Sequence, residues 1–334
     1  MKKYIKYFIP IIIVACILVY AFMNNNEKQH YKTITLEKEP EYIGILPYGC
    51  DLAIVIDGEL MIYDAEGNVR NISVPFLVAE AYYYDEYIWL IDVDRNLYRA
   101  ENSAGGIIMS DIILSDVKIF KSAMTASMAV NSSGELYVWG NNENGMLGLP
   151  YPDYIEIPTK IKCSEEIKDI CFSNNGIMFV TNSGELYVSG MCRDGEEYVT
   201  QFTKVQNIED VVSIHCNMFN YAICEDGSMF AWHSHIINED GQVELCFDDE
   251  LISTYDKGFE NYIDGDYYVI GINEQGQLYY WGLDFIAGQI GKGGYPELYE
   301  PKKIPYLESI ESVYTSYDIA YAKKGLTIYI ISGQ

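Results

Sequence analysis

Basic residues are scarce in this chain. Of its 334 residues, 22 are Lys or Arg and 49 are Asp or Glu, which gives a formal net charge of −27. Three of the cations lie within the first six residues and the first acid is Glu27, so the remaining 19 cations are set against all 49 acids. A surface this acidic repels phosphate backbones and anionic lipid headgroups. The sequence therefore predicts that nucleic acid is not a partner.

Histidine and the motifs of common hydrolases are scarce as well. The chain has four histidines, none of them in a Gly-x-Ser-x-Gly nucleophile motif. The aspartate box of sialidases is absent, and acids are so numerous that spacing alone identifies no pair of carboxylates as catalytic. The sequence therefore predicts a protein that is not an enzyme.

Cysteine spacing indicates no disulfide framework. Seven cysteines follow Cys16, without a Cys-x-x-Cys pair. Buried free thiols are the favoured interpretation. A Cys163–Cys171 or a Cys216–Cys224 bridge remains open.

Sets of metal ligands are also missing. His233-Ser234-His235 lacks the partner spacing of a zinc site. The stretch Asp92-Val93-Asp94-Arg95-Asn96 has the alternating oxygens with which calcium loops begin, but not the later glycine or the closing glutamate. We expect a hairpin turn there, with Asn96 in the left-handed position, and no cofactor; weak calcium binding is the alternative.

Long apolar runs are absent except for one, Tyr7–Met23. Seventeen helical residues span roughly 25 Å, enough for a thin bilayer. Because lysines precede the run, the positive-inside rule predicts a cytoplasmic segment at 1–6, a transmembrane signal anchor at 7–23, a linker at 24–30, and everything later outside the cell. This organisation is typical of a bacterial single-pass membrane protein.

A lipoprotein is the alternative for the N-terminus. Ile13-Val14-Ala15 followed by Cys16 resembles the bacterial lipobox, in which the cysteine is lipidated after cleavage. The sequence stays apolar after Cys16, which favours the uncleaved anchor. Both interpretations tether the rest of the chain to the outer face of a membrane.

A β-hairpin recurs seven times in the remainder of the chain. NSSGELYVWG from Asn131, NSGELYVSG from Asn182 and NEQGQLYYWG from Asn273 each combine a Gly turn with an alternating, aromatic strand, and an apolar strand precedes each turn. The turns fall near residues 58, 96, 134, 184, 227, 276 and 325. A regular array of hairpins without helices predicts an all-β fold, a seven-bladed β-propeller over residues 31–334 with about four strands in each blade.

The repeat resembles that of the regulator of chromosome condensation family, whose core is Gly-x-Leu-Tyr-x-Trp-Gly followed by Gly-Gln-Leu-Gly. The structural positions of the motif that match in this chain are Gly134, Trp139, Gly140, Gly145, Gly148, Gly276, Trp281, Gly282, Gly288 and Gly291. The resemblance implies a seven-bladed propeller that acts as an interaction platform. It departs at the position eight residues before each turn, where the family usually has histidine and this chain has none. The nucleotide exchange and chromatin binding of the family do not transfer, because no residue here corresponds to those contacts.

Closure of the ring can also be predicted. The last unit ends with its hairpin, which leaves its blade one strand short. Ile34-Thr35-Leu36-Glu37 alternates apolar and polar residues, so we expect it to pair with the last blade as a clasp.

Tyrosine is abundant, with 31 residues against 12 Phe and 4 Trp. Many belong to strands, but some lie between hairpins beside acids or prolines, a composition found at recognition surfaces. The candidate binding residues are Tyr82, Tyr83, Tyr84, Tyr151, Tyr154, Tyr295 and Tyr299.

Together these patterns predict a monomeric, membrane-tethered module that presents loops to a protein or glycan outside the cell. The alternative is a cell-surface enzyme acting on polysaccharide through a carboxylate pair in the propeller funnel. A pair of carboxylates with shifted pKa values in that funnel would favour the enzyme.

Overall fold

The structure is a computed structural model that describes residues 31–332, with gaps given at the end of this paragraph. The predicted segments 1–6, 7–23 and 24–30 lie outside the described residues. None of the helical segments within the described part reaches the length and apolar character that a bilayer crossing needs. The gaps are 47–50, 85–86, 104–105, 124, 174–175, 193–196, 217–219, 248–258, 260, 265–267, 284–296 and 316–318.

The described chain forms seven antiparallel sheets of four strands each. The strands of the first three blades are β2 (Tyr42–Leu46), β3 (Asp51–Ile56), β4 (Glu59–Tyr63), β5 (Val69–Ile72), β6 (Val78–Tyr84), β7 (Tyr87–Asp92), β8 (Leu97–Ser103), β9 (Gly106–Met109), β10 (Val117–Ala123), β11 (Ala126–Asn131), β12 (Leu136–Asn141) and β13 (Tyr154–Lys160). Those of the last four are β14 (Ile167–Ser173), β15 (Gly176–Thr181), β16 (Leu186–Met191), β17 (Tyr198–Lys204), β18 (Val211–Cys216), β19 (Asn220–Cys224), β20 (Met229–Ile237), β21 (Val243–Phe247), β22 (Asn261–Asp264), β23 (Tyr268–Ile272), β24 (Leu278–Leu283), β25 (Glu297–Lys303), β26 (Ser312–Thr315), β27 (Ile319–Lys324), β28 (Thr327–Ser332) and β1 (Lys32–Thr35). A single 3-10 turn, Glu143–Gly145, is the helical element of the described residues.

The sheets close into a ring around a central channel. Within the described residues, the first strands contact each other at six of the seven junctions, and one of these contacts, between β2 and β26, joins the first and last blades. Blades 5 and 6 join through a shared apolar cluster that contains Tyr221 and Val269. The prediction of an all-β, seven-bladed propeller is confirmed.

Side-chain hydrogen bonds within the hairpin turns explain why the repeat could be predicted from the sequence. The side-chain oxygen of Asn131 accepts the backbone N–H groups of Ser133 (3.1 Å) and Glu135 (2.9 Å). The equivalent oxygen of Asn273 accepts those of Gln275 (3.1 Å) and Gln277 (2.9 Å). Each asparagine thus closes the turn that the following glycine allows.

The turn of the second blade differs from its prediction. Arg95, not Asn96, adopts the left-handed conformation, with φ of 66°. Asn96 instead donates its side-chain amide to Asp92 (3.0 Å), whose other oxygen accepts the Asn96 backbone N–H (2.8 Å). Arg95 tolerates the unusual backbone because its guanidinium is fixed by an ion pair with Glu80 and by the carbonyl of Val117 (2.6 Å).

The clasp is confirmed. β1 pairs antiparallel with β28, from Lys32 opposite Ile330 to Thr35 opposite Thr327. Ile34 and Leu36 are buried in one apolar cluster with residues of the first and last blades. Burying two such side chains contributes about 1.5–3 kcal/mol each. The segment before the first blade therefore completes the last one.

Aromatic side chains fill the spaces between blades 2 and 3. Trp139 of β12 packs 6.1 Å from Trp89 and 6.0 Å from Phe120, measured between ring centroids. Trp89 lies on the second strand of its blade, whereas Trp139 and Trp232 lie on the third. The neighbouring repeat has Ser189 in the slot of Trp139, and its hydroxyl donates to the carbonyl of Met146 (2.7 Å).

The disulfide differs from both pairings left open by the sequence. Cys171 of β14 is bonded to Cys216 of β18, with 5.8 Å between the Cα atoms. The bridge therefore joins the first strands of blades 4 and 5, whereas the predicted pairs were local in sequence. The other described cysteines, Cys163, Cys192, Cys224 and Cys246, belong to no disulfide; Cys192 and Cys224 are buried, as predicted, whereas Cys163 and Cys246 are half-buried.

Candidate interaction surface

Because each blade is an antiparallel meander, successive connections between its strands lie on opposite faces of the propeller. Connections from the first to the second strand and from the third to the fourth lie on one side, which we call the upper face; residues 64–68, 142–153 and 238–242 belong to it. The hairpin turns between second and third strands and the links between blades lie on the opposite, lower face. Tyr151 and the start of β13 are therefore on the upper face.

The connection 142–153 is organised around one buried asparagine. Asn142 is 1% exposed and donates its amide to the carbonyls of Leu149 and Pro152, both at 2.7 Å. Its side-chain oxygen accepts the N–H of Leu147 (2.9 Å), and its own N–H donates to Asp153 (2.7 Å). Four hydrogen bonds from one residue fix the path of the loop.

Two glycines of the repeat motif press this connection against blade 4. A Cβ on Gly145 would lie 2.6 Å from Cβ of Thr200, and one on Gly148 would lie 2.2 Å from the ring of Phe202. Both glycines have positive φ, at 70° and 72°. Only glycine combines that backbone with so close an approach, so the motif serves to dock the loop on β17.

Large apolar side chains of this loop and of the following strand β13 project into solvent. Tyr151 is 83% exposed, Tyr154 61% and Ile157 71%. We call these three residues the Tyr151 platform. Glu143, Asp153 and Glu156 are exposed around it, and residues 143–159 include no Lys or Arg. The platform is thus a fixed apolar surface in an acidic surround, which suits a recognition role.

The candidate tyrosines that the structure describes beyond Tyr151 and Tyr154 belong to other blades. Tyr83 and Tyr84 lie on β6, at the inner edge of blade 2, and Tyr299 lies on β25. Tyr295 is outside the described residues, as are Gly288 and Gly291 of the repeat motif. Trp281 and Gly282 lie on β24, and Gly134 and Gly276 occupy hairpin turns, while Gly140 lies on β12.

Tyr82 of blade 2 contacts both neighbouring blades, through Tyr42 of blade 1 and Phe120 of blade 3. Its half-buried ring lies 5.9 Å from that of Tyr42 and 5.3 Å from that of Phe120, and its hydroxyl donates to Glu80. Burial raises the pKa of the Tyr82 phenol above its usual value. Because Glu80 also pairs with Arg95, this hydroxyl is part of a network between blades 2 and 3.

The central channel provides the test of the enzymatic alternative. Lys121, Asp169 and His215 lie on the consecutive first strands β10, β14 and β18. His215 stacks on Tyr221 with ring centroids 4.5 Å apart. Desolvation lowers the pKa of His215, and the charge of Asp169 acts in the opposite direction. The acidic residues of the first strands, Glu80, Asp169 and Asp264, lie on β6, β14 and β22, which belong to three blades that are not neighbours in the ring.

One carboxylate elsewhere has a raised pKa. Desolvation raises the pKa of Asp51, at the start of β3, while Arg70 acts against that change. The pKa of nearby Asp64 is lowered, because its carboxylate accepts the side-chain amide of Asn68 and backbone N–H groups of Glu66 and Asn68. Both oxygens of Asp64 therefore accept hydrogen bonds within its own turn.

A cleft between blades 4 and 5 opens on the lower face. It has a volume of about 660 Å³, walls formed by Ile208 and Phe230, and carboxylates from two adjacent turns. Those carboxylates are Glu209, Asp210, Glu225 and Asp226. Their charge disfavours phosphate and other anionic ligands.

The calcium alternative at 92–96 receives no support from geometry. Both oxygens of Asp92 are used within the turn and by Tyr98, whose hydroxyl lies 3.1 Å away. Across the described segments, no group of three or more His, Cys, Asp or Glu side chains has metal-binding geometry.

Two features of the platform were missed in the sequence. Ile157 is exposed because β13 bulges after Ile155, and a bulge is not visible in an apolar–polar pattern. The sequence analysis did not single out Asn142, although its position directly after the strand end Trp139-Gly140-Asn141 is a signal for a residue that closes a loop.

The family comparison agrees with the repeat. The model of the regulator of chromosome condensation (RCC1) repeat matches residues 133–180, which include β12, the connection 142–153 and β13. The ultraviolet-B receptor UVR8 of Arabidopsis thaliana is 24% identical over 203 residues, which cover 57% of this chain and 46% of the receptor. The chain spans about half the length of the curated relatives it matches.

Solved structures share the fold over most of the chain. Human WBSCR16 has a TM-score of 0.64 at 12% identity, covering 90% of this chain and 88% of its own. Prp20p of Saccharomyces cerevisiae, described for its binding to Gsp1p and histones, has a TM-score of 0.62 at 12% identity, covering 87% and 82%. At these identities the likeness establishes the propeller alone.

Proposed function

We propose that this protein, a seven-bladed β-propeller built from repeats of the regulator of chromosome condensation type, is a non-catalytic interaction module at the outer face of a bacterial membrane. Its upper face presents the Tyr151 platform to a partner protein. The observation that carries the proposal is the platform itself: Tyr151 stands exposed on the loop fixed by Asn142, and Tyr154 and Ile157 are exposed on the strand β13 that follows it. Preorganised aromatic side chains bind with little loss of conformational entropy.

A protein partner is favoured over a glycan by what is known of the proteins that this chain resembles. Prp20p is described as binding Gsp1p and histones, and proteins of this repeat type are named as a receptor and a regulator. A fixed apolar patch with exposed Tyr also has the composition of a protein interface. The net charge of −27 favours a neutral or basic partner.

The tether is supported by two features. The apolar run Tyr7–Met23 follows three lysines, and the Cys171–Cys216 bond is of a kind that persists in oxidising compartments. Both are expected of a chain whose propeller lies outside the cell.

Photo-crosslinking tests the binding role. In cells that express the full-length chain, Tyr151→p-benzoylphenylalanine should give one discrete crosslinked partner. Ile108→p-benzoylphenylalanine is the matched control, because Ile108 is 58% exposed on the outer strand of a different blade. The same products at both positions, or none at either, would contradict the proposal.

Labelling of intact cells tests the location. A membrane-impermeant amine reagent should modify propeller lysines before lysis, and labelling only after lysis would exclude the outer face. Mass spectrometry of the membrane-bound protein separates the two tethers: an uncleaved anchor keeps residues 1–15, whereas a lipoprotein begins at a lipidated Cys16.

A further inference from the structure

The outer edge of β13 beside the Tyr151 platform has free backbone groups. β13 is the last strand of its sheet, and none of the strands in the described ranges pairs with its far side. The carbonyl of Asp153 accepts from Asn142, and Ile155 lies opposite Gly140. Since backbone groups alternate between the two sides of a strand, those of Tyr154 and Glu156 point away from the sheet.

This free edge is short and has a fixed end. The register with β12 shifts between the pairs of Ile155 and Thr159, which marks a bulge. Pro158 within it has no N–H to donate, and the hydroxyl of Thr159 bonds the carbonyl of Ile157 (2.9 Å). Bulges and prolines stop strand pairing, so an added strand would be confined to the stretch that begins at Tyr154 and ends before Pro158.

Side chains around the edge define what it would accept. Tyr151, Tyr154 and Ile157 offer exposed apolar surface at its two ends. Glu143, Asp153 and Glu156 add three carboxylates without a cation among residues 143–159. An incoming segment gains from apolar side chains that cover the platform and from basic side chains that meet the carboxylates.

We infer that the β13 edge and the Tyr151 platform bind an extended segment of a partner protein, in which basic residues alternate with aliphatic or aromatic ones. The segment adds to the sheet as a fifth strand at Tyr154–Glu156. This inference rests on the proposed function and names the partner's chemistry. A second copy of this chain is a poor occupant, because its own charge of −27 opposes the approach.

Peptide binding to the full-length chain in nanodiscs of neutral lipid tests the inference. The probe is a fluorescent seven-residue peptide in which Lys alternates with Val and Ile, read by anisotropy. We expect saturable binding that salt weakens. A peptide with Glu in place of Lys, and a Lys peptide with N-methyl groups on alternate backbone nitrogens, should each bind at least tenfold more weakly.

Variants locate the binding. Tyr151→Ser with Tyr154→Ser should lower the affinity at least tenfold, and Glu156→Gln severalfold, while Ile108→Ser and Glu225→Gln leave it unchanged. Unchanged binding to the tyrosine variant would show that the peptide only follows the acidic surface, and equal binding of the methylated peptide would exclude strand addition; both overturn the inference.

The failure of this inference can be told from that of the proposed function. A discrete partner crosslinked at position 151 together with no binding of any peptide would reject the extended basic segment and keep the interaction module. Sedimentation that shows a dimer lost with Tyr151→Ser would assign the platform to a second copy of the chain.

Discussion

Asn142 shows how one side chain determines the shape of a loop. It is buried, and its hydrogen bonds connect the strand end after Trp139 to both halves of the connection that carries Tyr151. Its neighbour Asn141 makes a single side-chain bond, to the N–H of Glu143 (2.9 Å). The two adjacent residues are both asparagines, but Asn142 contributes more to the structure of the loop than Asn141 does.

Replacing Asn142 should destabilise the loop 142–153. Asn142→Ala leaves the buried N–H of Leu147 without its acceptor, so we expect a loss of about 2–3 kcal/mol in the free energy of unfolding. Asn141→Ala is the matched control and should cost less than about 1 kcal/mol. Urea unfolding measures both, and equal losses would contradict the role assigned to Asn142.

Gly148 allows a second residue-scale test. Gly148 and Gly227 have similar backbone angles, with φ of 72° and 82°, but only Gly148 faces a neighbour, the ring of Phe202. Alanine at either position costs about 1–2 kcal/mol for its backbone. At Gly148 the clash adds about 1–3 kcal/mol. Thermal unfolding of Gly148→Ala and Gly227→Ala compares them, and a shared Tm would refute close docking of the loop.

At the scale of elements, the clasp decides how the ring is closed. β1 supplies the outer strand of a blade whose other strands come from the opposite end of the chain. Lys323 on β27 strengthens the junction, because it is only 8% exposed and pairs with both Glu39 and Glu311. The buried apolar side chains of the clasp and the two ion pairs of Lys323 thus stabilise the same contact, between the N-terminal segment and the last blade.

Removing the apolar contacts of the clasp should be costly. Ile34→Ala with Leu36→Ala deletes two buried side chains, for which we expect a loss of about 4 kcal/mol or more in the free energy of unfolding. Val69→Ala, on the exposed outer strand β5, should change it by less than about 0.5 kcal/mol. If urea midpoints of the two variants coincide, β1 does not close the ring.

The ion pair predicts a dependence on pH. Lys323 lowers the pKa of Glu311 below its usual 4.5. A carboxylate whose pKa falls on folding stabilises the protein above the unfolded pKa, and that stabilisation is lost as the pH drops through the folded value. Between about pH 5 and about pH 3, Lys323→Met should therefore lose less stability than the wild type. Lys303→Met, which removes an exposed pair with Glu308, should follow the wild type; identical acid unfolding of both variants would exclude the effect.

At the scale of the whole molecule, the sequence predicts the repeats but not the contacts between them. Turn asparagines and glycines such as Asn131 and Gly134 specify their hairpins locally, so the blades could be predicted. The disulfide could not, because Cys171 and Cys216 are 45 residues apart and meet only when two blades stand side by side. Tyr82 was likewise assigned to a surface, since its neighbour Phe120 belongs to the next blade. Tyr151 and Tyr154 could be predicted as one exposed stretch because they are only three residues apart in sequence.

The disulfide gives a prediction at this scale. A bridge that closes a loop of this length stabilises a protein by about 4 kcal/mol. Reductant should lower the free energy of unfolding by about that amount, and Cys171→Ser with Cys216→Ser should lower it equally and abolish the sensitivity to reductant. Mass spectrometry after thiol alkylation reports the bond. A wild type that is alkylated at both cysteines before reduction would overturn the pairing.

The position of β1 also has a mechanical consequence. Only the linker 24–30 and Tyr31 separate Lys32, the first residue of that strand, from the segment 7–23 proposed to cross the membrane, so a pull on that segment is delivered to the hydrogen bonds between β1 and β28. Those bonds would open one after another from the Lys32 end rather than shear together. The weakest point of the molecule under tension is then the seam of the ring, and stretching would open the last blade before any other.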